Sequence, residues 1–287
     1  HCGDVNLMKA AIHFATRLST VSPRYAKEIQ TLEYGAGLDG ALRLRSADLH
    51  GILNGVDYET WNPAIDPHLA APYSVDDLSG KALCKADLQK CFGFSKRDVP
   101  IFGMVTRLFW QKGIDLLIEA MTLLADADFQ VVVLGSGDPA IEKELLETSA
   151  AFPEKLQAAL QFDAALAHRI QGGSDFFLMP SRYEPCGLSQ LYALAYGAVP
   201  VVRRTGGLAD SVCNDNPVYR RKGQATGIVF VPQTPQALAR AMRRALALYR
   251  HPGELAAMRR AGMQADFSWD RSSQDYIKLY QEAIESK

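Results

Sequence analysis

Short apolar runs alternate with segments of helical periodicity along most of the chain after residue 99. The apolar runs predict strands at 101–105, 129–134, 175–179 and 199–202. Each run precedes a segment with apolar residues three or four positions apart, which predicts helices at 113–124, 139–150, 187–196 and 207–212. Continuous apolar strands separated by helices are typical of a parallel sheet that is buried on both faces. We therefore predict an α/β fold with a doubly wound parallel sheet.

The two ends of the chain have different patterns. After Pro232 the periodicity is helical only, with helices predicted at 234–249 and 272–284. Before residue 99 the pattern is mixed, with helices predicted at 10–15 and 23–29, a strand at 18–21 and a connector rich in Pro, Asp and Ala at 61–79. The change in pattern predicts a domain boundary near Asp57.

Composition narrows the class of protein without identifying a function. The 287 residues include 31 Lys+Arg and 32 Asp+Glu, and 48% of them are hydrophobic. This apolar fraction excludes wholesale disorder, and the length fits about two domains of ~150 residues. The balanced charge gives no general attraction to nucleic acid or to an anionic membrane. The longest uncharged stretch, 185–202, is interrupted by Gly and Pro, so it does not predict a membrane span.

The cysteines and histidines do not predict a metal site. None of the histidines has ligand-like spacing with cysteine or carboxylate residues. No Cys-x-x-Cys pair occurs among the five scattered cysteines, which are Cys2, Cys84, Cys91, Cys186 and Cys213. This odd number without pairing argues against a disulfide framework and favours a reducing compartment.

The clearest chemical motif follows the predicted strand at 175–179. Glu184 stands at the end of that strand, and a Pro-Cys-Gly sequence then opens a helix. The amides of Gly187, Leu188 and Ser189 are unpaired donors at a helix start, which suits a phosphate, with Glu184 close enough to reach an attached sugar. The alternative is a Pro-Gly helix entry in which Glu184 is only a first-turn charge.

A second motif follows the predicted strand at 101–105. Arg107 and Lys112 flank a short loop before a helix, where two cations can bind a diphosphate and stabilise a departing phosphate. The alternative is a pair of solvated surface cations, the more usual environment of Arg and Lys.

Two glycine turns also follow predicted strands. Thr205, Gly206 and Gly207 follow the strand at 199–202, and paired glycines allow a ligand to approach the backbone closely, although an ordinary turn is the alternative. Gly135 belongs to a Gly-Ser-Gly turn that lacks the third glycine of a dinucleotide fingerprint, so we expect it to line a cleft.

Two further side chains are candidates for the same region. Cys186 has no neighbouring His or Asp to activate it, so we expect a packed or cleft-lining thiol. Phe162 follows the apolar run 156–160 and is either a stacking partner for a nucleobase or a core aromatic. Because all these motifs lie at the same end of one parallel sheet, they bring together cations, free amides and a carboxylate. That combination suits an anionic leaving group attached to a sugar.

Taken together, the motifs resemble those of bacterial glycogen synthases and plant starch synthases. The resemblance runs along the whole chain, through residues 20–23, 37–40, 52–57, 107–108, 111–113, 184–188 and 203–210. It implies a GT-B glycosyltransferase with two Rossmann-like domains facing a cleft. It also implies transfer of glucose from ADP-glucose to the 4-hydroxyl at the non-reducing end of an α-1,4-glucan, with retention. A bacterial protein of this kind is cytoplasmic, and a plant one is in the plastid.

The resemblance implies a role for each candidate residue. Arg107 and Lys112 would bind the diphosphate and stabilise its departure, without a metal or another cofactor, and Glu184 would orient the glucose hydroxyls. Asn54 would line the glucose site, and Phe162 would stack on adenine. The phosphate and sugar would be cradled by Gly187, Leu188, Ser189, Thr205, Gly206 and Gly207.

The chain departs from the family pattern in two ways. Tyr192 occupies a position where the wider superfamily often has a second glutamate, although synthases of this kind commonly depart there too. The Lys-Thr-Gly-Gly-Leu segment that opens the family's amino-terminal domain is absent. We therefore expect residues 1–57 to be the remnant of that domain, 58–266 to be the nucleotide-sugar domain, and 267–287 to be a crossover helix that returns to the first domain.

Two other functions remain open. Without the rest of the cleft, the chain could act only as a nucleotide-sugar-binding module, since domain closure completes such sites. It could also belong to a related transferase that uses another acceptor, such as sucrose or a lipid-linked sugar. The residues do not decide between an ADP and a UDP donor.

Overall fold

The computed structural model describes residues 5–286, and its first part is a small parallel sheet with three helices. Strands β1 (Leu18–Thr20) and β2 (Leu49–Gly51) pair in parallel. They are accompanied by the helices α1 (Leu7–Phe14), α2 (Pro23–Glu28) and α3 (Asp39–Leu44). Helix α2 begins where Ser22 caps it, with the Ser22 hydroxyl accepting from the Tyr25 amide and a proline at the first helical position. The strand and the two helices predicted here are confirmed.

The larger sheet has six parallel strands in the order β5-β4-β3-β6-β7-β8. They are β3 (Ile101–Val105), β4 (Gln130–Leu134), β5 (Leu156–Ala159), β6 (Phe176–Met179), β7 (Val199–Arg203) and β8 (Ile228–Phe230). The four strands predicted from apolar runs are β3, β4, β6 and β7. Because β3 pairs directly with β6, the loops that follow these two strands start side by side.

Helices cover both faces of this sheet. They are α4 (Ser79–Cys91), α5 (Ile114–Leu123), α6 (Pro139–Ala151), α7 (Ala164–Gly173), α8 (Ser189–Ala195), α9 (Gly206–Ser211), α11 (Pro235–Tyr249) and α12 (Pro252–Met263). Two further helices are α10 (Pro217–Arg221), between α9 and β8, and α13 (Trp269–Glu285), after α12. Alternate residues of β4 show how the faces are divided. Val131 and Val133 pack with α5 and α11, whereas Val132 and Leu134 pack with α4 and α7. The predicted doubly wound α/β sheet is confirmed.

Several elements do not follow from the apolar pattern. The pattern does not predict the strands β2 and β8 or the helices α3, α4, α7, α10 and α12. Helix α4 buries Gly80, Lys81 and Gln89, which are not apolar positions, and β8 has only three residues. Helix α8 begins at Ser189, two residues later than predicted, because Gly187 adopts a left-handed conformation with φ +69°.

The predicted connector at 61–79 is irregular but tightly packed. The ring of Trp61 stacks between those of His168 and Tyr192, with centroid distances of 3.9 and 3.8 Å. The buried Asp66 accepts a hydrogen bond of 2.5 Å from the Tyr196 hydroxyl and lies 2.7 Å from His168 Nδ1. These contacts fix the segment that leads away from Asn54.

The last helix returns to the first part of the chain. Val56 forms a parallel bridge with Ser268, just before α13, and an Arg17 Nη donates to Ser286 Oγ at 2.5 Å. This contact agrees with the expected return of the chain, while the proposed division at 57 and 266 stays a prediction. None of the helices within residues 5–286 is both long and apolar enough to cross a membrane.

The centre of the sheet should be the most sensitive part of the fold. Phe176 is fully buried and stacks on Phe102 with a centroid distance of 5.2 Å. We expect Phe176→Ala to lower the free energy of unfolding by about 3–5 kcal/mol through lost burial and a residual cavity. Urea unfolding followed by circular dichroism measures this.

The matched control is the same change at Phe162, whose side chain is 93% exposed. Phe162→Ala should change the free energy of unfolding by less than about 0.5 kcal/mol. Equal losses in the two variants would contradict the assignment of the core.

Candidate active site

Lys112 and Glu184 meet at the carboxyl ends of two neighbouring strands. Lys112 Nζ lies 2.6 Å from Glu184 Oε2, and the two side chains are only 15% and 7% exposed. Ser181 Oγ donates to the same carboxylate oxygen at 3.0 Å. The pair is therefore a buried, hydrogen-bonded ion pair at the edge of the sheet where ligands of such folds bind.

Short contacts between the two loops hold the pair in place. The Arg182 amide donates to the Gln111 carbonyl at 2.8 Å, and the Gln111 side chain donates to the Tyr183 carbonyl at 3.1 Å. The Arg182 guanidinium donates twice to the Asp115 carboxylate, at 2.8 and 2.5 Å. Lys112 ends a short 3-10 turn that Gly113 closes with φ +69°.

A cavity of about 70 Å³ opens beside this ion pair. It is lined by Lys112, Glu184, Ser181, Thr106 and the turn 187–189. Within the described residues, the amides of Gly187, Leu188 and Ser189 have no hydrogen-bond acceptor. These donors precede α8, where the positive end of the helix dipole also lies. The structure thus brings the predicted amides, cation and carboxylate together around one cavity.

Arg107 lies on the same loop as Lys112 but outside this cavity. Its side chain is exposed, and its guanidinium lies 5.7 Å from the centre of the Phe109 ring. Across residues 5–286 it forms no ion pair. It is a solvent-facing cation directly after Thr106, which lines the cavity, so its predicted diphosphate contact stays a prediction.

Thr205, Gly206 and Gly207 use their donors within the protein. The Glu28 carboxylate accepts from Thr205 Oγ1 at 3.1 Å and from the Gly206 amide at 3.0 Å. The Gly207 amide donates to the Glu184 carbonyl at 3.0 Å. Gly206 has φ +41°, and a Cβ there would lie 1.9 Å from the Glu184 carbonyl oxygen. The glycine is therefore explained by close contact with the protein's own backbone, and the predicted cradle at 205–207 stays a prediction.

Asn54 and Cys186 are neighbours. Burial raises the pKa of the Cys186 thiol, and a hydrogen bond from the Asn54 backbone opposes this only in part. The thiol is 5% exposed, as expected for a packed side chain. Asn54 itself is half-buried and is brought next to the Glu184 turn by this contact.

The remaining two predicted residues lie towards the β4 and β5 strand ends. A Cβ on Gly135 would lie 1.7 Å from the Thr106 carbonyl oxygen, so only glycine fits where these two strand-end loops touch. Phe162 follows β5 and is 93% exposed, so the alternative of a core aromatic is wrong. Its stacking role stays a prediction.

Two protein-family models match this chain. The family described as glycosyl transferases group 1 matches residues 90–263, which include the sheet and both site loops. The chain belongs to this family. A second model, the starch synthase catalytic domain, matches residues 1–44.

Relatives of this glycosyltransferase confirm the resemblance stated above. The glycogen synthase of Myxococcus xanthus is 49% identical over 98% of this chain and 57% of its own length. That of Anaeromyxobacter dehalogenans is 51% identical over 96% of this chain and 58% of its own length. The solved catalytic domain of starch synthase IV from Arabidopsis thaliana, bound to ADP and acarbose, has a TM-score of 0.91 and 37% identity. It is matched over 98% of this chain and 58% of its own, so the chain spans somewhat more than half of these relatives.

Several residues of the glycosyltransferase site were missed by the sequence analysis. Ser181 binds Glu184, and the buried Arg203 donates to the Ser181 and Arg182 carbonyls, which stabilises the turn before Glu184. The Gln190 side chain donates to the Cys186 and Gly187 carbonyls at 3.1 and 2.9 Å. These residues stand within the motifs, but only the fold shows which atoms they bind.

The described part of the chain has no group of three or more His, Cys, Asp or Glu side chains placed to hold a metal ion. Lys112, held next to Glu184, places a cationic side chain at the cavity. Lysine has three N–H donors, so Lys112 keeps two for an anion while it binds Glu184.

The shifted pKa of Cys186 leads to a prediction of reactivity. A raised pKa means a smaller thiolate fraction at any pH below it, and the thiolate is the form that reacts. At pH 8 we expect iodoacetamide to label Cys186 at least about tenfold more slowly than the exposed Cys91 and Cys213. Peptide mass spectrometry measures the three rates. In urea they should converge, and equal rates in the native protein would contradict the burial of this thiol.

Proposed function

We propose that this chain is the carboxyl-terminal part of a glycogen or starch synthase. The proposed reaction transfers glucose from ADP-glucose to the 4-hydroxyl at the non-reducing end of an α-1,4-glucan, with retention. The observation that carries the proposal is the buried Lys112–Glu184 pair, 2.6 Å apart, next to the amides of residues 187–189. The names of the relatives and the ADP and acarbose bound to the starch synthase IV domain support the choice of donor and acceptor.

The proposed roles follow from what each group can bind. Lys112 has N–H donors left for the diphosphate, and its charge stabilises the negative charge that develops as the diphosphate leaves. Arg107 supplies a second permanent cation on the same loop. The amides of Gly187, Leu188 and Ser189 bind phosphate oxygens at the positive end of α8.

Glu184 has a separate role in this scheme. Its side-chain oxygen Oε2 accepts hydrogen bonds from both Lys112 and Ser181. Within the described residues Oε1 has no donor, so it is left to accept from the hydroxyls of the transferred glucose. Asn54 would contact the glucose from the other side, and Phe162 would cover the adenine. The two cations take the place of a metal, and no cofactor is required.

The same proposal covers organisation and location. Residues 1–57 belong to an acceptor-side domain, 58–266 form the nucleotide-sugar domain, and 267–287 return to the first domain. The bacterial relatives favour the bacterial cytoplasm, and a plant protein of this kind would be in the plastid.

A second candidate is a nucleotide-sugar-binding module without turnover. In this alternative, the part that corresponds to 57% of the Myxococcus xanthus enzyme binds the nucleotide sugar but does not transfer glucose. Calorimetric titration with ADP, alongside a measurement of labelled glucose incorporated into glycogen, separates the synthase from the binding module. Binding without incorporation by the chain supports the module, and incorporation supports the synthase.

Substitution of the ion pair tests the proposed reaction. In the complete protein we expect Lys112→Ala and Glu184→Gln each to lower kcat for glucose incorporation by at least about 100-fold, because charge stabilisation in the transition state is lost. The rate of labelled glucose transfer from ADP-glucose to glycogen measures this.

The matched control is Lys143→Ala, since Lys143 is 77% exposed and pairs only with Glu147 on the surface of α6. It should leave kcat unchanged. A rate for Lys112→Ala within about threefold of the unaltered protein would contradict the role given to Lys112.

Phe162 tests the choice of nucleotide. If its ring stacks on adenine, Phe162→Ala should weaken ADP binding about tenfold, the effect of losing one base–aromatic stack. Calorimetric titrations with ADP and with UDP measure this, and the unaltered chain should prefer ADP. An unchanged ADP affinity would contradict the stacking role, and a preference for UDP would favour a transferase with another donor.

A further inference from the structure

Helix α2, which lies before the predicted domain boundary, contacts the segments that carry the site. Ser22 Oγ donates to the Pro185 carbonyl at 2.8 Å, directly after Glu184. The Arg24 amide donates to Asp210 Oδ2 at 2.6 Å, at the end of the glycine motif. The first part of the chain is therefore hydrogen-bonded to both site segments.

Glu28 is the most buried charged group in this contact. It is 8% exposed although it lies on a short helix near the start of the chain. Its Oε2 accepts from Thr205 Oγ1 and the Gly206 amide, and its Oε1 accepts from Arg24 Nε at 3.0 Å. A buried carboxylate is tolerated only with such partners, and here the three donors come from two parts of the fold.

The segment that Glu28 binds supports the main chain of Glu184. The Gly207 amide donates to the Glu184 carbonyl at 3.0 Å, and Gly206 is packed so closely on that carbonyl that a Cβ would be only 1.9 Å away. The Glu184 side chain then reaches Lys112 in the cavity. The contacts run without a gap from Glu28 through Thr205 and Gly206 to Glu184.

We propose that Glu28 is a positioning residue of the donor site. By binding Thr205 and Gly206 it holds the segment against which Glu184 rests, so it fixes the ion pair without touching the cavity. The inference builds on the proposed function, since it assigns Glu28 to the site that binds the nucleotide sugar. The length of the Glu28 side chain matters more than its charge, because Oε2 must accept hydrogen bonds from both Thr205 and Gly206.

Two variants of Glu28 separate the effect of side-chain length from the effect of charge. Glu28→Asp keeps the charge but withdraws the carboxylate by about 1.5 Å, one carbon–carbon bond. Glu28→Gln keeps one oxygen at the same reach for Thr205 and Gly206. It replaces the oxygen that accepts from Arg24, whose side chain is 46% exposed, by an uncharged NH2 group. A role that depends on charge predicts the opposite order of effects.

The first measurement is hydrogen–deuterium exchange of the chain without ligand. For Glu28→Asp we expect exchange at residues 203–210 to be at least about tenfold faster, because the hydrogen bonds that hold this segment are lost. Glu28→Gln should restore exchange to within about threefold of the unaltered chain. The Gly207 amide in this segment is informative, because it donates to the Glu184 carbonyl at 3.0 Å and not to Glu28.

The second measurement is calorimetric titration with ADP. Glu28→Asp should weaken ADP binding about tenfold, while Glu28→Gln should bind within about threefold of the unaltered chain. In the complete protein, kcat for glucose transfer should fall in the same order, with KM for glycogen unchanged.

The matched control is Asp39→Ala, which removes another buried, ion-paired carboxylate from the first part of the chain. Asp39 is 7% exposed and pairs with Arg43 at 2.6 Å. Asp39→Ala should also lower the stability of the first part of the chain, but exchange at 203–210 and ADP affinity should not change. Equal effects of Asp39→Ala and Glu28→Asp would overturn the inference.

The remaining outcomes are equally decisive. Unchanged exchange at 203–210 in Glu28→Asp, or faster exchange there with unaltered ADP affinity, would overturn the positioning role. So would a Glu28→Gln variant that is more impaired than Glu28→Asp. An unaltered chain that binds no ADP contradicts the proposed function instead, and the exchange measurement then decides by itself whether Glu28 holds the turn.

Discussion

The arrangement of the site depends on the buried pairing of Lys112 with Glu184. A lysine that is only 15% exposed loses much of its hydration, and a carboxylate at 2.6 Å compensates for that loss. Because the partners follow the neighbouring strands β3 and β6, the pairing also joins the two strand-end loops. The sheet thus holds a cation and a carboxylate where substrate would enter, and neither charge is left uncompensated before substrate arrives.

This part of the structure was predictable because it depends on a simple rule. Strands that are buried on both faces are continuous apolar runs, and the residues after them meet at one edge of the sheet. Helix α4 was missed for the complementary reason. It buries Lys81, whose Nζ donates to the Gly172 and Tyr196 carbonyls, so a core-facing position of the helix carries a polar amino group. An apolar pattern cannot reveal a helix whose buried face is partly polar.

The supports of the site could not be predicted in the same way. Glu28 and Thr205 are separated by 177 residues, and nothing near Glu28 distinguishes it from an exposed helical glutamate. Arg203 entered the sequence analysis only within the resembling stretch 203–210, yet its guanidinium is buried and donates to two carbonyls before Glu184. Such contacts depend on how distant segments pack, and the pattern along one segment does not contain that information.

The glycines show where motif reasoning reaches its limit. A glycine motif predicts that something approaches the backbone closely, but it does not identify what approaches. At Gly206 the neighbour is the Glu184 carbonyl and at Gly135 it is the Thr106 carbonyl, both from the protein itself. Within the described residues, the amides at 187–189 are different because they have no acceptor. Free donors beside a buried ion pair therefore distinguish a ligand-binding turn from a structural one better than the number of glycines does.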